Sequence, residues 1–377
     1  LIIGAPIILC LGIPPIIWLL QNGRVPNMVM GQKMYTAVDS FSLMAIPFFM
    51  LAGQVMERTG ITEAIVDFAN AVIGWVRGGL ACTVELAGML MAGISGSSNA
   101  DASALGAICL RALKKGGYEE GWAAAIVVSA SGIGPIIPPS IIMIVYATAA
   151  GLDIGQLFTA GIVPGICLGI AYMLVSVNYA KRHNIPKIPF KGFKHVWETF
   201  KKAIWALLMP VIIIGGILGG LFTATECGVI ATVYGVIYGL IVRKIKPRDL
   251  WKSLREGILA AVGPISLIAI SSIFSYMLAR EGVTASIASF LETNINSQFG
   301  VMAFCALICI VAGCFVDGTA TMLLLIPIFV PVVQAMGIDM MQFSMIIMIT
   351  IMTGGMTPPV GSMLFVISSI DGTPISK

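Results

Sequence analysis

An all-α polytopic membrane protein assembled from inverted repeats is the fold class this sequence predicts. Three observations predict it. The first is composition: 58% of the 377 residues are hydrophobic and 11% charged, with a mean hydropathy of +0.98, whereas soluble domains run at roughly 45–50% apolar and 25% charged. The second is a pattern written twice. Ala92-Gly-Ile-Ser-Gly-Ser-Ser-Asn-Ala-Asp101 precedes a Gly132-Ile-Gly-Pro-Ile-Ile-Pro-Pro139 break, and Ala312-Gly-Cys-Phe-Val-Asp-Gly-Thr-Ala-Thr321 precedes Gly354-Gly-Met-Thr-Pro-Pro359. Both ends of the match keep an offset of 220, and Arg58-Thr-Gly-Ile-Thr62 with Arg280-Glu-Gly-Val-Thr284 extends it upstream at 222, as an internal duplication would. The third is where the basic residues lie.

Apolar runs at Leu1–Leu20, Phe41–Met56, Leu157–Ala180, Ala203–Phe222, Gly228–Val242 and Gly257–Ala279 are near the roughly 20 residues that cross hydrocarbon. The loops Lys181–Lys202 and Arg243–Arg255 hold the densest Lys and Arg and are placed in the cytoplasm. Two spans lie between them, which returns the chain to the side it left. In the first loop Phe193, Trp197, Phe200 and Ile204 form one helical stripe, which predicts a helix lying in the membrane interface; the alternative is a plain continuation of the next span. The chain starts inside an apolar run without a charged leader, so no signal peptide is read and a trimmed chain is expected.

The repeated segments read differently. Gly79–Ile94 and Asp101–Leu113 are short for a span and are joined by an uncharged polar loop, which predicts a re-entrant helical hairpin over about 79–113. A second hairpin is predicted over about 301–333 around Asp317-Gly-Thr319, with broken helices over about 121–150 and 342–369. Arg111, Lys114 and Lys115 stand at the base of the first hairpin, and only Asp339 is charged at the base of the second. The first therefore opens to the cytoplasm and the second to the outside, so the repeats are inverted.

Irregular backbone at membrane depth survives only where protein buries it or it lines a cavity. The Gly-Pro breaks expose carbonyl oxygens beside helix ends, and helix ends hold small ions and carboxylates. Ser97, Ser98 and Asn99 in one tip, with Thr319 and Thr321 in the other, add neutral donors and oxygens. This set suits sodium plus a carboxylate. Asp317 is the only carboxylate in a tip loop, to be read as a cation ligand, a proton site or a helix cap. Asp101 is weighed as a helix cap or a transport residue, Glu85 as a weaker transport candidate, and Glu226 as a helix-start carboxylate. The eight cysteines lie in or beside apolar runs, so no disulfide framework is expected, and both histidines, His183 and His195, sit in the basic loop, which excludes a histidine relay in the membrane. The net charge of +4 is a loop property, so no nucleic-acid partner is expected.

These motifs resemble the large membrane subunit of the TRAP transporters, the tripartite ATP-independent periplasmic carriers. The resemblance rests on Gly93-Ile-Ser-Gly-Ser-Ser98 with Ala100-Asp101, Gly134-Pro-Ile-Ile-Pro-Pro139, Phe222-Thr-Ala-Thr-Glu226, Asp317-Gly-Thr-Ala320 and Thr357-Pro-Pro359, and spans essentially the whole chain. Ala224 stands where the family usually has Pro, and the family normally extends beyond both ends of this sequence. The resemblance implies a small four-helix membrane subunit, a periplasmic substrate-binding protein, sodium ions as the driving force, and an elevator in which a transport domain slides on a scaffold. Carried onto this chain, it implies scaffold and first arm at 1–59, transport domain at 60–155 and 282–369, scaffold with the second arm at 156–281, and a C-terminal segment at 370–377. Arm helices fall at Pro26–Ser40 and Arg248–Leu259. It implies sodium sites at Ser97, Asn99, Gly134 and Pro135, and at Asp317, Thr319, Gly354 and Thr357. Contact with an organic acid falls to Ser98, Asn99, Asp101, Pro139, Thr319, Thr321 and Pro359. The basic loops and Gly117-Tyr-Glu-Glu-Gly-Trp-Ala123 look most like sialic acid members, with C4-dicarboxylates next. The expected location is the bacterial inner membrane.

Three other readings compete. A stand-alone sodium/dicarboxylate symporter shares inverted hairpins but usually carries Ser-Asn-Thr in both tips, and Ala100 breaks that pattern. An intramembrane enzyme would need a nucleophile and base or a metal set within the spans, and the sequence supplies neither. A purely structural scaffold subunit would not need broken helices beside polar tips.

Overall fold

The computed structural model describes residues 6–21, 25–295 and 297–375, and the described chain is all helix, turn and loop. The first five residues of the Leu1–Leu20 run and the last two of the 370–377 segment lie outside the described residues.

The chain opens with α1 (Ile7–Gln21), α2 (Met28–Val38) and, after a short 3-10 turn at Phe41–Met44, α3 (Ala45–Glu57). Next come α4 (Ile61–Ile73), the first hairpin α5 (Gly79–Ser95) and α6 (Ser98–Lys115), and a broken helix of α7 (Glu120–Gly132) and α8 (Ile141–Ala150). Four long helices follow: α9 (Ile154–Arg182), α10 (Phe193–Leu218), α11 (Ala224–Ile241) and α12 (Pro247–Arg280). The chain then runs through α13 (Val283–Asn294), the second hairpin α14 (Gln298–Phe315) and α15 (Gly318–Ala335), and a second broken helix of α16 (Met340–Gly355) and α17 (Ser362–Asp371). The five helices α4–α8 and the five helices α13–α17 begin at offsets of 219 to 222 residues, and each broken helix carries one cis Pro-Pro bond, at Pro138-Pro139 and Pro358-Pro359.

The two units exchange their last helices. α17 packs along α6 and α8 packs along α15, so each unit closes the other's hairpin, as a two-fold relation requires. The α6–α17 contact is close: Ile367 and Ile370 each place Cδ1 3.0 Å from where a Cβ on Gly106 would stand. At its end Lys114 is ion-paired with Asp371. Thus α17 reaches the basic base of the first hairpin, while the tip of the second hairpin stops at the break above it. α8 is apolar on all sides and buried continuously from Ile141 to Ala147, the pattern of a helix enclosed by protein. In α9 and α10 the apolar side chains of Val163, Leu174 and Val211 are exposed instead, as a lipid-facing surface demands.

Local sequence explains several boundaries. Thr223 and Glu226 form a capping box at the start of α11: the Glu226 carboxylate accepts from Thr223 N at 2.8 Å, and Thr223 Oγ1 accepts from Glu226 N at 3.3 Å. Asp153 and Asp339 cap α9 and α16, each accepting a backbone N–H three residues on at 2.7 Å. The separate interfacial helix expected at Phe193 does not form; those residues continue without interruption into the next span as α10, with Phe193 and Trp197 exposed. Likewise Arg248–Leu259 and Gly257–Ala279 fuse into one helix, α12. At 34 residues it measures roughly 50 Å and outreaches the ~30 Å hydrocarbon layer, so its basic end projects past the membrane.

Candidate functional site

Each hairpin turns in two residues, Gly96-Ser97 in the first and Val316-Asp317 in the second, and each turn is tied to its own break. Ile141 N donates to Gly96 O at 3.4 Å, while Val360 N and Gly361 N donate to Cys314 O at 3.1 and 3.0 Å. Gly96 adopts a left-handed φ of 59°, and a Cβ there would stand 2.6 Å from Pro139 O, so glycine is what allows the tip to touch the break. The two breaks also meet each other, with the Met356 side chain filling the space beside Gly132.

At the first tip the Ser95 hydroxyl donates to Asp101 Oδ1 at 2.6 Å and accepts from Ser97 N at 3.2 Å. Asp101 is fully buried, and its second oxygen, Oδ2, has no hydrogen-bond partner. That oxygen points at the break, 2.5 Å from where a Cβ on Gly134 would lie. Asn99 Oδ1, one turn-fraction earlier on the same helix, is also buried and unpartnered. Ser97 and Ser98 are partly buried beside them, and Pro135 and Pro139 are buried in the break. Buried polar atoms are nearly always paired, so the orphaned Asp101 Oδ2 against the break marks a place fit to receive a cation or donor.

The second tip is more open. Asp317 is exposed and caps α15, its Oδ2 accepting from Thr319 N at 3.1 Å. Thr321 is fully buried, with its hydroxyl donating to Val316 O at 3.3 Å. Thr357 donates to Thr353 O at 2.7 Å, Gly354 is buried, and Pro359 is exposed. Gly354 lies against Gly313 so closely that a Cβ on it would meet Gly313 Cα at 2.8 Å. Thr321 is the repeat counterpart of Asp101, so the first copy buries a carboxylate where the second buries a hydroxyl.

The sequence offers Asp317 as the one carboxylate in a tip loop; the structure puts the buried carboxylate with a free oxygen at Asp101. Ser95 was missed, although it is the residue that holds Asp101. Glu85 proves to be a separate feature on the flank of α5: it is buried, accepts from Ser129 Oγ at 2.8 Å through Oε1, and leaves Oε2 unpartnered. Two clefts flank the hairpins. One of about 110 Å³ lies between α3 and the first tip and includes Gln54, Glu57, Ser97 and Asp101; the other, of about 540 Å³, lies between α2, α12 and α15.

Residues 1–377 match the family model described as "Tripartite ATP-independent periplasmic transporter, DctM component". The chain is 37% identical over 344 residues to the C4-dicarboxylate TRAP transporter large permease protein DctM of Pseudomonas aeruginosa, covering 91% of this chain and 81% of that one. It is 35% identical to a putative TRAP transporter large permease protein of Haemophilus influenzae, covering 100% and 89%, and 34% identical to the sialic acid TRAP transporter permease protein SiaT of that species, covering 92% and 56%. Among solved structures, the YdaH transporter of Alcanivorax borkumensis superposes with a TM-score of 0.65 at 14% identity over 93% of this chain and 82% of that one, a likeness of fold.

Proposed function

We propose that this chain, which belongs to the TRAP transporter family as its DctM component, the large membrane subunit, couples the inward flow of sodium to uptake of an organic acid. It is a multi-pass protein of the bacterial inner membrane, and six of its described helices are long and apolar enough to cross one. The observation that carries the sodium reading is the unpartnered buried oxygen of Asp101, Oδ2, which faces Gly134 in the break, with a second unpartnered buried oxygen, Asn99 Oδ1, in the same helical turn. A hard monovalent cation takes oxygen ligands of this kind, and at such depth a carboxylate without a countercharge needs one. In this reading Asn99, Asp101, Ser97 and the carbonyls around Gly134 and Pro135 hold one sodium. Asp317, Thr319, Gly354 and Thr357 hold a second at the more open tip. The organic acid sits between the tips, against Ser98, Pro139, Thr321 and Pro359.

Partners follow from the same family. A small four-helix membrane subunit would extend the lipid-facing scaffold, and a periplasmic binding protein would deliver the substrate. The transport body, roughly 60–155 with 282–369, would slide past the scaffold as an elevator. Its reciprocal α6–α17 and α8–α15 packing supports movement as one piece. Relatives are named for C4-dicarboxylate and for sialic acid, and the shared chemistry is a carboxylate. Sialic acid is the first substrate to try, on the strength of the Gly117–Ala123 stretch.

The test is uptake into proteoliposomes holding this chain with its small subunit and binding protein, offering sialic acid, malate and succinate with and without an inward sodium gradient. Accumulation that needs sodium and the binding protein supports the reading. Uptake by this chain alone would favour a stand-alone symporter.

A further inference from the structure

The two clefts are built from the same positions of the two repeats. Met50, Gly53, Gln54, Glu57 and Thr62 line the inner cleft, and adding 222 to each gives Ser272, Ser275, Tyr276, Ala279 and Thr284, all of which line the outer one. Matched walls in the two repeats make the clefts counterparts of each other. Yet the chemistry of the twins has diverged. The inner wall presents Gln54 and the carboxylate of Glu57. The outer wall presents three serines, Ser271, Ser272 and Ser275, and the Tyr276 phenol, and α2 adds Lys33, whose Nζ lies over the Tyr276 ring at 5.3 Å. No carboxylate lines the outer cleft among the described residues, and Lys33 belongs to no ion pair among them.

The walls also face their hairpins out of step. The inner wall stands opposite the first tip, at Ser97 to Ala104, while the outer wall stands opposite Leu323 to Pro331, whose twins are 103 to 111. That mismatch of about seven residues is on the order of 10 Å along a helix, a displacement of the transport body toward the cytoplasmic side. Restoring the outer wall to the register its twin now has would bring Ser275 and Tyr276 opposite Asp317 and Thr321.

We propose that the outer cleft is a receiving site for the carboxylate of the incoming organic acid, with Lys33 as its countercharge and Ser275 and Tyr276 as hydroxyl donors, and that Glu57, which stands in the inner cleft where the outer one has Ala279, is the repelling group that speeds release inside. The inference rests on the transport reading above. A carboxylate in the outer cleft meets an ammonium with three donors and no like charge; the same carboxylate in the inner cleft meets Glu57 and Asp101. The Ser275 hydroxyl now donates to Ser271 O at 2.8 Å and can turn outward, since its own helix loses only a side-chain bond. Uptake is thereby favoured over efflux without any difference in the architecture of the two sides.

The test uses the reconstituted three-component carrier. Lys33→Gln should raise the external KM for sialic acid or succinate about fivefold, the scale of one water-exposed ion pair, with little change in maximal rate, and Lys33→Arg should restore it. Glu57→Gln should leave the external KM alone and make luminal substrate a stronger inhibitor. An unchanged external KM in Lys33→Gln, or an equal rise in both variants, would overturn the proposal. Binding is read separately: a Ser275→Cys variant, corrected for the native cysteines, is labelled from outside with a membrane-impermeant maleimide in the absence of a sodium gradient. Slowing of that labelling by sialic acid or succinate supports the cleft even if sodium-driven uptake fails. Labelling that neither acid slows counts against the cleft even if uptake succeeds.

Discussion

Asp101 Oδ2 occupies the space that a side chain on Gly134 would require, 2.5 Å from the position of its Cβ. The carboxylate and the broken backbone are thus one unit, and either can be used to probe it. Gly134→Ala should displace Asp101 and raise the sodium concentration for half-maximal uptake by about tenfold or more, the scale on which loss of a metal-site partner is felt. Sodium titration of uptake in proteoliposomes checks it, and an unaltered sodium dependence would remove Gly134 from the site.

Asp101→Asn keeps the shape and the Ser95 bond but removes the charge. Sodium-driven uptake should fall to background, while the thermal midpoint of the purified protein stays the same or rises, because a buried carboxylate without a countercharge opposes folding. Asp317→Ala should also impair sodium dependence and should in addition lower stability by about 1 kcal/mol through loss of the α15 cap. A larger sodium defect in Asp317→Ala than in Asp101→Asn would reverse the ranking of the two tips.

Gly354→Ala puts a methyl against Ile310 O at 2.5 Å and Gly313 Cα at 2.8 Å, both of them backbone. Rigid neighbours cannot yield, so destabilisation of about 1–3 kcal/mol is expected from overpacking. Thermal unfolding followed in detergent gives the measurement. A midpoint within error of the parent would show that the second break yields to an added methyl.

Ala224→Pro places proline at the first helical position of α11, directly after the Thr223 cap. Proline there removes no intrahelical hydrogen bond and limits the unfolded chain, so a gain of about 0.4–1 kcal/mol is expected, with uptake unaffected. Thr223→Ala in the same turn should cost about 1 kcal/mol. The two thermal shifts should have opposite signs.

Much of this architecture could be read from residue order alone. The matched Gly-Pro breaks and the polar tips mark which segments turn back, and Glu226 reads as a cap because capping is a local matter three residues wide. Asp101 and Asp317 were harder, since both stand near a helix start and both could cap. What separates them is tertiary: Ser95 reaches Asp101 from the other arm of the hairpin, and Gly134 arrives from a different helix. The Phe193 stripe misleads for a related reason. An amphipathic turn continuous with a span shows the same spacing as one lying flat, and only the uninterrupted backbone of α10 tells them apart.

The exchange of α8 and α17 between the two units has a consequence for how the protein is made. α8 leaves the ribosome with a surface that is apolar all round, and its seat on α15 is encoded almost two hundred residues downstream. At bacterial synthesis rates that interval is roughly 10–40 s. For that time the first unit stands in the bilayer with its last helix held only by α3, the 3-10 turn before it and α9, and with its hairpin unclosed, exposed to the insertion machinery and to membrane proteases. Truncation anywhere before α17 should therefore yield a product that is degraded and not a working half-carrier.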